Sequence, residues 1–398
     1  MFKLYLKKSL SLFSIVGFLF IPLTFFGFDY QYRLTKFIFL TPVSFIQDHF
    51  FPHALKNIDF SSDTISLNIL LALLLIISFL VVLILELFKI RSAGITPLFK
   101  FLSAYYLAAV FLKYGFDKVF KRQFYLPEPN ILYSDFGHLT KDTLFWSTMG
   151  TSYMYSVSTG IIEILAGLLI LFKRTRIAGF CVAMAVVINI FLINIGFDIS
   201  VKVFTSFLLM VLVLNLYPAL KIVYAFFIQH KQAQLSPALH HGIPVNKWVH
   251  VFLCAGIIGF ILFPYISLGT FNDDHAKRPP LHGAYQIEQF MINNDTLNSC
   301  DFPFKRFFIH RNSYIIFQKE DETMVDYFFE MNSGRKQMDI RDYQNNKITV
   351  TYNYYEKEGA LQLIFGNNAK WIIQSRSLNW KALPALQDDM HYTIDEIK

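Results

Sequence analysis

The sequence is poor in charged residues and in cysteine, and each shortage excludes a class of protein. Only 16% of its 398 residues are charged, whereas a soluble domain usually carries about a quarter. An ordinary soluble globular protein is therefore excluded. The three cysteines, Cys181, Cys254 and Cys300, are too few and too far apart for a disulfide framework. No C-x-x-C motif offers a thiol–disulfide relay.

Metal sites and nucleic-acid binding also lack a sequence signal. The eleven histidines are scattered, and the adjacent pair His240–His241 lies in a polar loop. The formal net charge of +7 falls mostly in short loops between apolar runs. Lys and Arg in such loops set membrane orientation, so we expect no nucleic-acid partner and no metal site.

What the sequence has in abundance is apolar and aromatic side chains, which make up 54% and 17% of the chain. About 20 apolar residues cross the ~30 Å hydrocarbon core of a bilayer. Seven runs meet or approach that length: Leu10–Phe28, Ser66–Leu87, Pro97–Tyr114, Ser156–Phe172, Ile177–Phe197, Val203–Leu216 and Val249–Leu268. These runs predict a membrane all-α bundle of about seven transmembrane helices.

Prolines predict two interruptions, because proline removes a backbone donor from a helix. Pro42 and Pro52 predict that the segment around Thr35–Thr41 is too short to span and lies at the interface or re-enters. Pro218 predicts that the sixth span ends and bends into an interfacial helix.

The C-terminal third has a different pattern. After Asp273, short stretches such as Ser313–Phe317 and Ile348–Tyr352 alternate apolar and polar residues, with turn signals such as Asn332-Ser-Gly334 between them. This pattern predicts an antiparallel β meander or small lipocalin-like barrel. A barrel of that size has an interior filled by side chains.

The predicted domains follow from these patterns. They are N-terminal helices with an extracytoplasmic loop (1–96), a four-helix membrane core (97–228), a cytoplasmic loop with the last helix (229–272) and an extracytoplasmic β domain (273–398). The loops assigned to the cytoplasm hold more Lys and Arg than the others. This bias predicts a multi-pass protein of the bacterial inner membrane with its C-terminal domain outside the cytoplasm.

Ionisable residues inside the apolar runs are the candidate site. Glu163 stands near the middle of the fourth predicted span, where a carboxylate costs about 2.5–3.5 kcal/mol on insertion scales. Glu163 either pairs with Asn189 or Lys113 to lock helices together, or serves as a proton-accepting or ligand-binding carboxylate. We expect Asn189 to form an interhelical hydrogen bond.

Two i,i+4 pairs, Lys113/Asp117 and Asp198/Lys202, are either structural ion pairs or the rim of a polar vestibule that includes Asn194. The predicted polar pocket consists of Lys113, Asp117, Lys118, Glu163, Asn189, Asn194, Asp198 and Lys202.

Four stretches resemble DoxX-type bacterial membrane proteins. They are Lys113-Tyr-Gly-Phe-Asp-Lys-Val-Phe120, the run Thr159–Thr175 with its G-x-x-E-x-x-A-G core, Asn189–Lys202 and Tyr217-Pro-Ala-Leu-Lys221. The resemblance covers about residues 100–228 and implies a four-helix membrane core. Extra N-terminal helices and a C-terminal domain that opens at Gly283-Ala-Tyr285 are similar to the long form of this group.

Members of this group are linked to quinol oxidase or thiosulfate:quinone oxidoreductase complexes, so the resemblance implies a quinone-like lipid as cofactor. The redox-relay branch of related proteins depends on cysteines that are absent here. No haem ligand, flavin motif or paired cysteine is evident in the chain, so any electrons come from a partner.

Two functions follow, and whether the protein is an enzyme stays open. It is a redox- or quinone-associated membrane subunit with a polar intramembrane pocket, or a non-catalytic scaffold or assembly factor whose β domain docks an envelope partner. A vitamin K carboxylase-like membrane fold is a third possibility. The expected partners are membrane lipids and other envelope proteins.

Overall fold

The computed structural model describes residues 2–23, 29–53, 57–230, 232, 243, 246–293, 295–366, 371–387 and 393. The helices in this part of the chain are α1 (Phe2–Phe20), α2 (Tyr30–Phe50), α3 (Ile65–Leu87), α4 (Ile95–Val119), α5 (Pro129–Leu132), α6 (Lys141–Thr151), α7 (Tyr153–Leu171), α8 (Arg176–Gly196), α9 (Lys202–Phe227) and α10 (Lys247–Leu268).

Six helical segments among the described residues are long and apolar enough to cross a membrane. They are Ile65–Leu87, Ile95–Val119, Tyr153–Leu171, Arg176–Gly196, Lys202–Leu220 and Lys247–His275. They coincide with six of the seven predicted spans and support a membrane protein. The other predicted span, Leu10–Phe28, overlaps α1, but residues 24–28 lie outside the described residues, so its crossing stays a prediction. Most of the predicted polar loop 229–246 also lies outside them.

The prediction that Pro42 breaks its segment and that Pro218 stops the sixth helix is wrong, whereas the interfacial position of the residues after Pro218 stays a prediction. Pro42 lies inside the 21-residue helix α2, and Pro218 lies inside α9, which continues to Phe227. A proline removes one backbone hydrogen bond, but neighbouring helices and local adjustment compensate this loss in membrane proteins. The segment around Thr35–Thr41 is therefore part of a longer helix.

The chain divides into two compact units. The first, here called the membrane unit, comprises Met1–Gln123 and Val157–Phe271, and the second, the barrel unit, comprises Phe124–Ser156 and Asn272–Lys398. The segment 124–156 lay within the predicted membrane core (97–228), but it belongs to the barrel unit. Four of the six apolar segments separate the two parts of the barrel unit.

Small residues set the packing of α4 against α7 in the membrane unit. A Cβ atom added to Gly160 would lie 2.7 Å from the carbonyl oxygen of Gly115, and one added to Gly115 would lie 2.8 Å from the carbonyl oxygen of Gly160. Glycine at both positions allows the two backbones to approach closely, as is common between membrane helices. This contact fixes which residues of the two helices face each other.

We expect Gly160→Leu to destabilise the membrane unit by at least the ~1–3 kcal/mol typical of overpacking, because a backbone atom of α4 must move. Thermal unfolding of the detergent-solubilised protein measures this effect. The matched control is Gly259→Leu in α10, where an added Cβ meets nothing within 4 Å. Equal melting temperatures for the two variants would contradict the close approach of α4 and α7.

The barrel unit contains an antiparallel sheet whose strands are β1 (Gly283–Ile292), β2 (Asp295–Thr296), β3 (Arg306–Ile309), β4 (Tyr314–Gln318), β5 (Met324–Asn332), β6 (Gln337–Arg341), β7 (Lys347–Tyr355), β8 (Ala360–Phe365) and β9 (Trp371–Leu378). The sheet closes because β1 pairs with β9, from Ala284 opposite Leu378 to Ile292 opposite Trp371. Among the described residues the barrel thus has eight strands, and the two-residue strand β2 only pairs with the end of β1.

Apolar side chains fill the barrel core. Its buried members include Phe290, Phe307, Ile315, Phe317, Phe329, Met338, Val350 and Leu363. The predicted antiparallel meander that closes into a small barrel is therefore confirmed. A second, smaller cluster joins Phe308 and Trp380 of the C-terminal part to Leu126, Leu132 and Tyr133 of the segment 124–156.

Candidate functional site

Four of the eight predicted pocket residues meet near the end of α4. Lys113, Asp117 and Lys118 lie in its last two turns, Glu163 comes from α7, and Tyr265 of α10 joins them. These five residues are here called the charge network. Three helices that are long and apolar enough to span a membrane contribute to it.

The centre of the charge network is a buried ion pair. The ammonium Nζ of Lys118 donates to both carboxylate oxygens of Glu163, at 2.7 and 2.8 Å. Lys118 is only 5% exposed and Glu163 only 3%. The pair is therefore shielded from both water and lipid by the surrounding protein.

Asp117 forms the other half of the charge network. Its carboxylate accepts hydrogen bonds from Lys113 Nζ at 2.8 Å and from the Tyr265 hydroxyl at 2.5 Å. The predicted i,i+4 pair Lys113/Asp117 is thus confirmed. Tyr265 was not predicted, because it is 148 residues from Asp117 in an otherwise apolar run.

Neither predicted partner of Glu163 is the observed one. The sequence suggested Asn189 or Lys113, but the structure pairs Glu163 with Lys118. The glycine contact between α4 and α7 explains the choice, since a Cβ atom on Gly160 would lie 2.9 Å from Cβ of Lys118. Lys118 therefore stands beside the turn of α7 that leads to Glu163.

Asn194, Asp198 and Lys202 form a second group at the turn between α8 and α9. Asn194 is buried and donates through Nδ2 to Thr205 Oγ1 at 2.7 Å. Lys202 Nζ lies 2.7 Å from the carboxylate of Asp198, whose side chain is 83% exposed, so this predicted i,i+4 pair is confirmed.

Backbone contacts give this second group a structural role. The backbone N–H groups of Lys202 and Val203 donate to the carboxylate of Asp63 at 2.7 and 3.0 Å. The contacts of this turn therefore position the start of α9. The predicted vestibule around Asn194 stays a prediction.

Asn189 belongs to neither group. Its side chain is exposed on α8, and no hydrogen bond to it occurs among the residues that the structure describes. The predicted interhelical hydrogen bond of Asn189 within this chain is therefore wrong. The eight predicted residues occupy three places in the membrane unit rather than one pocket.

Sequence reasoning missed a charge cluster in the barrel unit. It consists of Glu128, Asp273, Arg278, His282 and Arg311, here called the clasp. Glu128 is buried, with only 4% of its surface exposed. Its carboxylate oxygen Oε2 lies 2.8 Å from His282 Nε2. The other oxygen, Oε1, accepts a hydrogen bond from Arg311 Nε. Arg311 Nη1 also donates to Asp273 at 2.5 Å, and Arg278 donates to the same carboxylate at 3.2 Å.

The surroundings of Glu128 favour its charged form strongly. Burial alone would raise the pKa of Glu128, but hydrogen bonds from His282 and Arg311 and the charge of Arg311 lower the pKa to about 2. Glu128 lies in the segment 124–156, whereas His282 and Arg311 lie on the barrel side. The clasp therefore fastens this segment to the barrel within one unit.

The two clusters differ in the chemistry that they can perform. The clasp satisfies its charges with fixed arginine and histidine partners, and it has a structural role. The charge network joins ammonium, carboxylate and phenol groups among apolar helices, which suits a polar ligand head or a proton. Among the described residues, no group of three or more His, Cys, Asp or Glu side chains could hold a metal ion.

Comparison with known proteins identifies a protein of similar sequence. No family model matches the sequence, and no solved structure matches it. Over 112 residues, the chain is 34% identical to the uncharacterized protein YwoB of Bacillus subtilis (strain 168), and the match spans 28% of this chain and 71% of that protein. This chain therefore belongs to the family of YwoB.

Proposed function

We propose that the protein is a DoxX-like, multi-pass protein of the bacterial inner membrane whose charge network binds the polar head of a lipid-soluble ligand of the quinone class. The observation that carries the proposal is the buried Lys118–Glu163 ion pair among helices apolar enough to span a membrane. Its C-terminal barrel lies outside the cytoplasm, and other envelope proteins are its partners.

Stability alone does not explain the Lys118–Glu163 pair. Removing two charges from water costs several kcal/mol each, and well-packed apolar residues often replace a buried ion pair without loss of stability. Ionisable residues within membrane segments are mostly associated with ligand or proton pathways. Asp117, which precedes Lys118 in the chain, adds an ion pair with Lys113 and a hydrogen bond from Tyr265.

The groups of the charge network fit a quinone head. Quinone carbonyl oxygens accept hydrogen bonds, and Lys118, Lys113 and Tyr265 provide ammonium and hydroxyl donors. The hydroxyl groups of a quinol donate, and the carboxylates of Glu163 and Asp117 accept. A bound quinone would supply two-electron redox chemistry, whereas this chain would orient the head and hold a proton at Glu163.

The test is ligand-induced stabilisation. We expect a naphthoquinone with one isoprenoid unit to raise the melting temperature of the purified protein. Glu163→Gln should abolish this increase, and it should also lower the melting temperature without probe, because it leaves the buried ammonium of Lys118 without its charged partner.

The control is Asp198→Asn, which alters an exposed ion pair outside the charge network and should keep the full response. An equal response of Glu163→Gln, or no response of the unaltered protein, would contradict the proposal.

The barrel favours the second function, a scaffold that docks an envelope partner. Its interior is filled by buried side chains such as Phe290, Phe307 and Leu363, so a role as carrier of a large ligand is not favoured. If Glu163→Gln retains full function in cells at normal abundance, the scaffold becomes the better account.

A further inference from the structure

An exposed amide lies inside one of the apolar helices. Asn189 is seven positions from the end of α8 at Gly196, which corresponds to about 10 Å at ~1.5 Å per residue. The opposite end of α8, at Arg176, is farther away. Asn189 is nevertheless exposed, and no hydrogen bond to its side chain occurs in the described part of the chain.

An exposed amide at this depth would face hydrocarbon, where its donors and acceptor have no water. Moving an amide from water into a solvent without hydrogen-bonding groups is strongly unfavourable. The asparagine side chain is too short to reach the headgroup region, as lysine and arginine can. A group outside the described part of this chain is therefore needed to satisfy Asn189.

The residues around Asn189 form a continuous helix-packing face. Asn189 and Gly196 are exposed beside six exposed positions of α8 that recur at alternating intervals of three and four: Ala178, Cys181, Ala185, Ile188, Leu192 and Ile195. This is the spacing of the contact seam between two helices. The first three are small, which lets another helix approach closely.

We infer that this face, here called the α8 stripe, binds the α8 stripe of a second copy of the protein, with the two Asn189 amides hydrogen-bonded to each other. A second copy fits because an amide is both donor and acceptor, so two identical residues satisfy one another. Copies inserted in the same orientation have parallel α8 helices with Asn189 at equal depth. A two-fold axis along the membrane normal then forms a closed dimer.

Native cysteine provides a direct test, because Cys181 lies on the α8 stripe. In full-length protein with Cys254→Ser and Cys300→Ser, oxidation in native membranes should yield a covalent dimer of twice the 46.3 kDa chain mass. In a cysteine-free background, single cysteines at Ala185, Ile188 and Leu192 should also cross-link. Val213→Cys is the control, since Val213 is 44% exposed on a different helix, α9, and should give only background cross-linking.

The amide is tested separately. Asn189→Leu should raise the dissociation constant of the dimer in lipid bilayers about 3- to 20-fold, the range measured for interhelical hydrogen bonds in membranes. Val213→Leu should leave it unchanged. Subunit counting at a series of protein-to-lipid ratios measures both variants.

Several outcomes of the cross-linking and subunit-counting experiments would overturn the inference. They are a monomer at every ratio, cross-linking at Val213→Cys equal to that at the α8 stripe, and cross-linking of the stripe to a different protein. An unchanged dissociation constant for Asn189→Leu would show that the amide does not stabilise the dimer, and it would contradict the inference as well. The stripe includes no residue of the charge network, so these results are independent of ligand binding.

Discussion

Lys118→Met is expected to destabilise the membrane unit by about 3–5 kcal/mol, the usual effect of removing one partner of a buried ion pair. Glu163 would remain 3% exposed without the ammonium group that now contacts both of its oxygens. Denaturant unfolding of the purified protein in detergent measures the change.

The double variant Lys118→Met/Glu163→Leu distinguishes the effect of an unpaired buried charge on stability from the effect of altered side-chain packing. It removes both charges at similar volume, so its stability should return to within about 1 kcal/mol of the unaltered protein or exceed it. Asp198→Asn is the control, because an exposed ion pair contributes at most about 1 kcal/mol. A double variant as unstable as Lys118→Met would show that the pair itself is required for the fold.

The second large effect is expected at the clasp. The pKa of Glu128 is lowered from its ordinary 4.5 to about 2 in the folded protein. A lowered carboxylate pKa stabilises the fold above the unfolded value and loses that contribution as the pH falls. A difference of this size corresponds to on the order of 3 kcal/mol, present above about pH 4.5 and lost between about pH 4.5 and 2.

Glu128→Gln should therefore destabilise the barrel unit at neutral pH and weaken its acid dependence. Three of the four tryptophans, Trp146, Trp371 and Trp380, lie in this unit, so tryptophan fluorescence of a Trp248→Phe background reports its unfolding. Glu330→Gln, at an exposed carboxylate paired with Arg341, is the control and should keep the acid dependence. Identical pH curves for Glu128→Gln and the unaltered protein would contradict the role of the clasp.

Local patterns predicted much of the fold, because they depend on neighbouring residues. Apolar runs of sufficient length predicted six helices that could span a membrane, and period-two alternation predicted the barrel. The prediction at Pro42 was wrong because a proline signal takes no account of the neighbouring helices that stabilise a long helix around it.

The candidate site was less predictable, because it depends on contacts between distant residues. Glu163 and Lys118 were both recognised, but their pairing depends on the helix register that Gly115 and Gly160 set. Glu128 and Arg311 are 183 residues apart, and no local pattern connects them. Asn189 was expected to form an interhelical hydrogen bond, and only the structure shows that it is exposed.

The most direct test of ligand binding at the charge network uses the double variant Lys118→Met/Glu163→Leu and the one-isoprenoid naphthoquinone. The measurement is the change in melting temperature that the probe causes. We predict that the variant melts at or above the temperature of the unaltered protein without probe and that the probe gives no increase. An increase equal to that of the unaltered protein would show that the ligand binds elsewhere and would contradict the account.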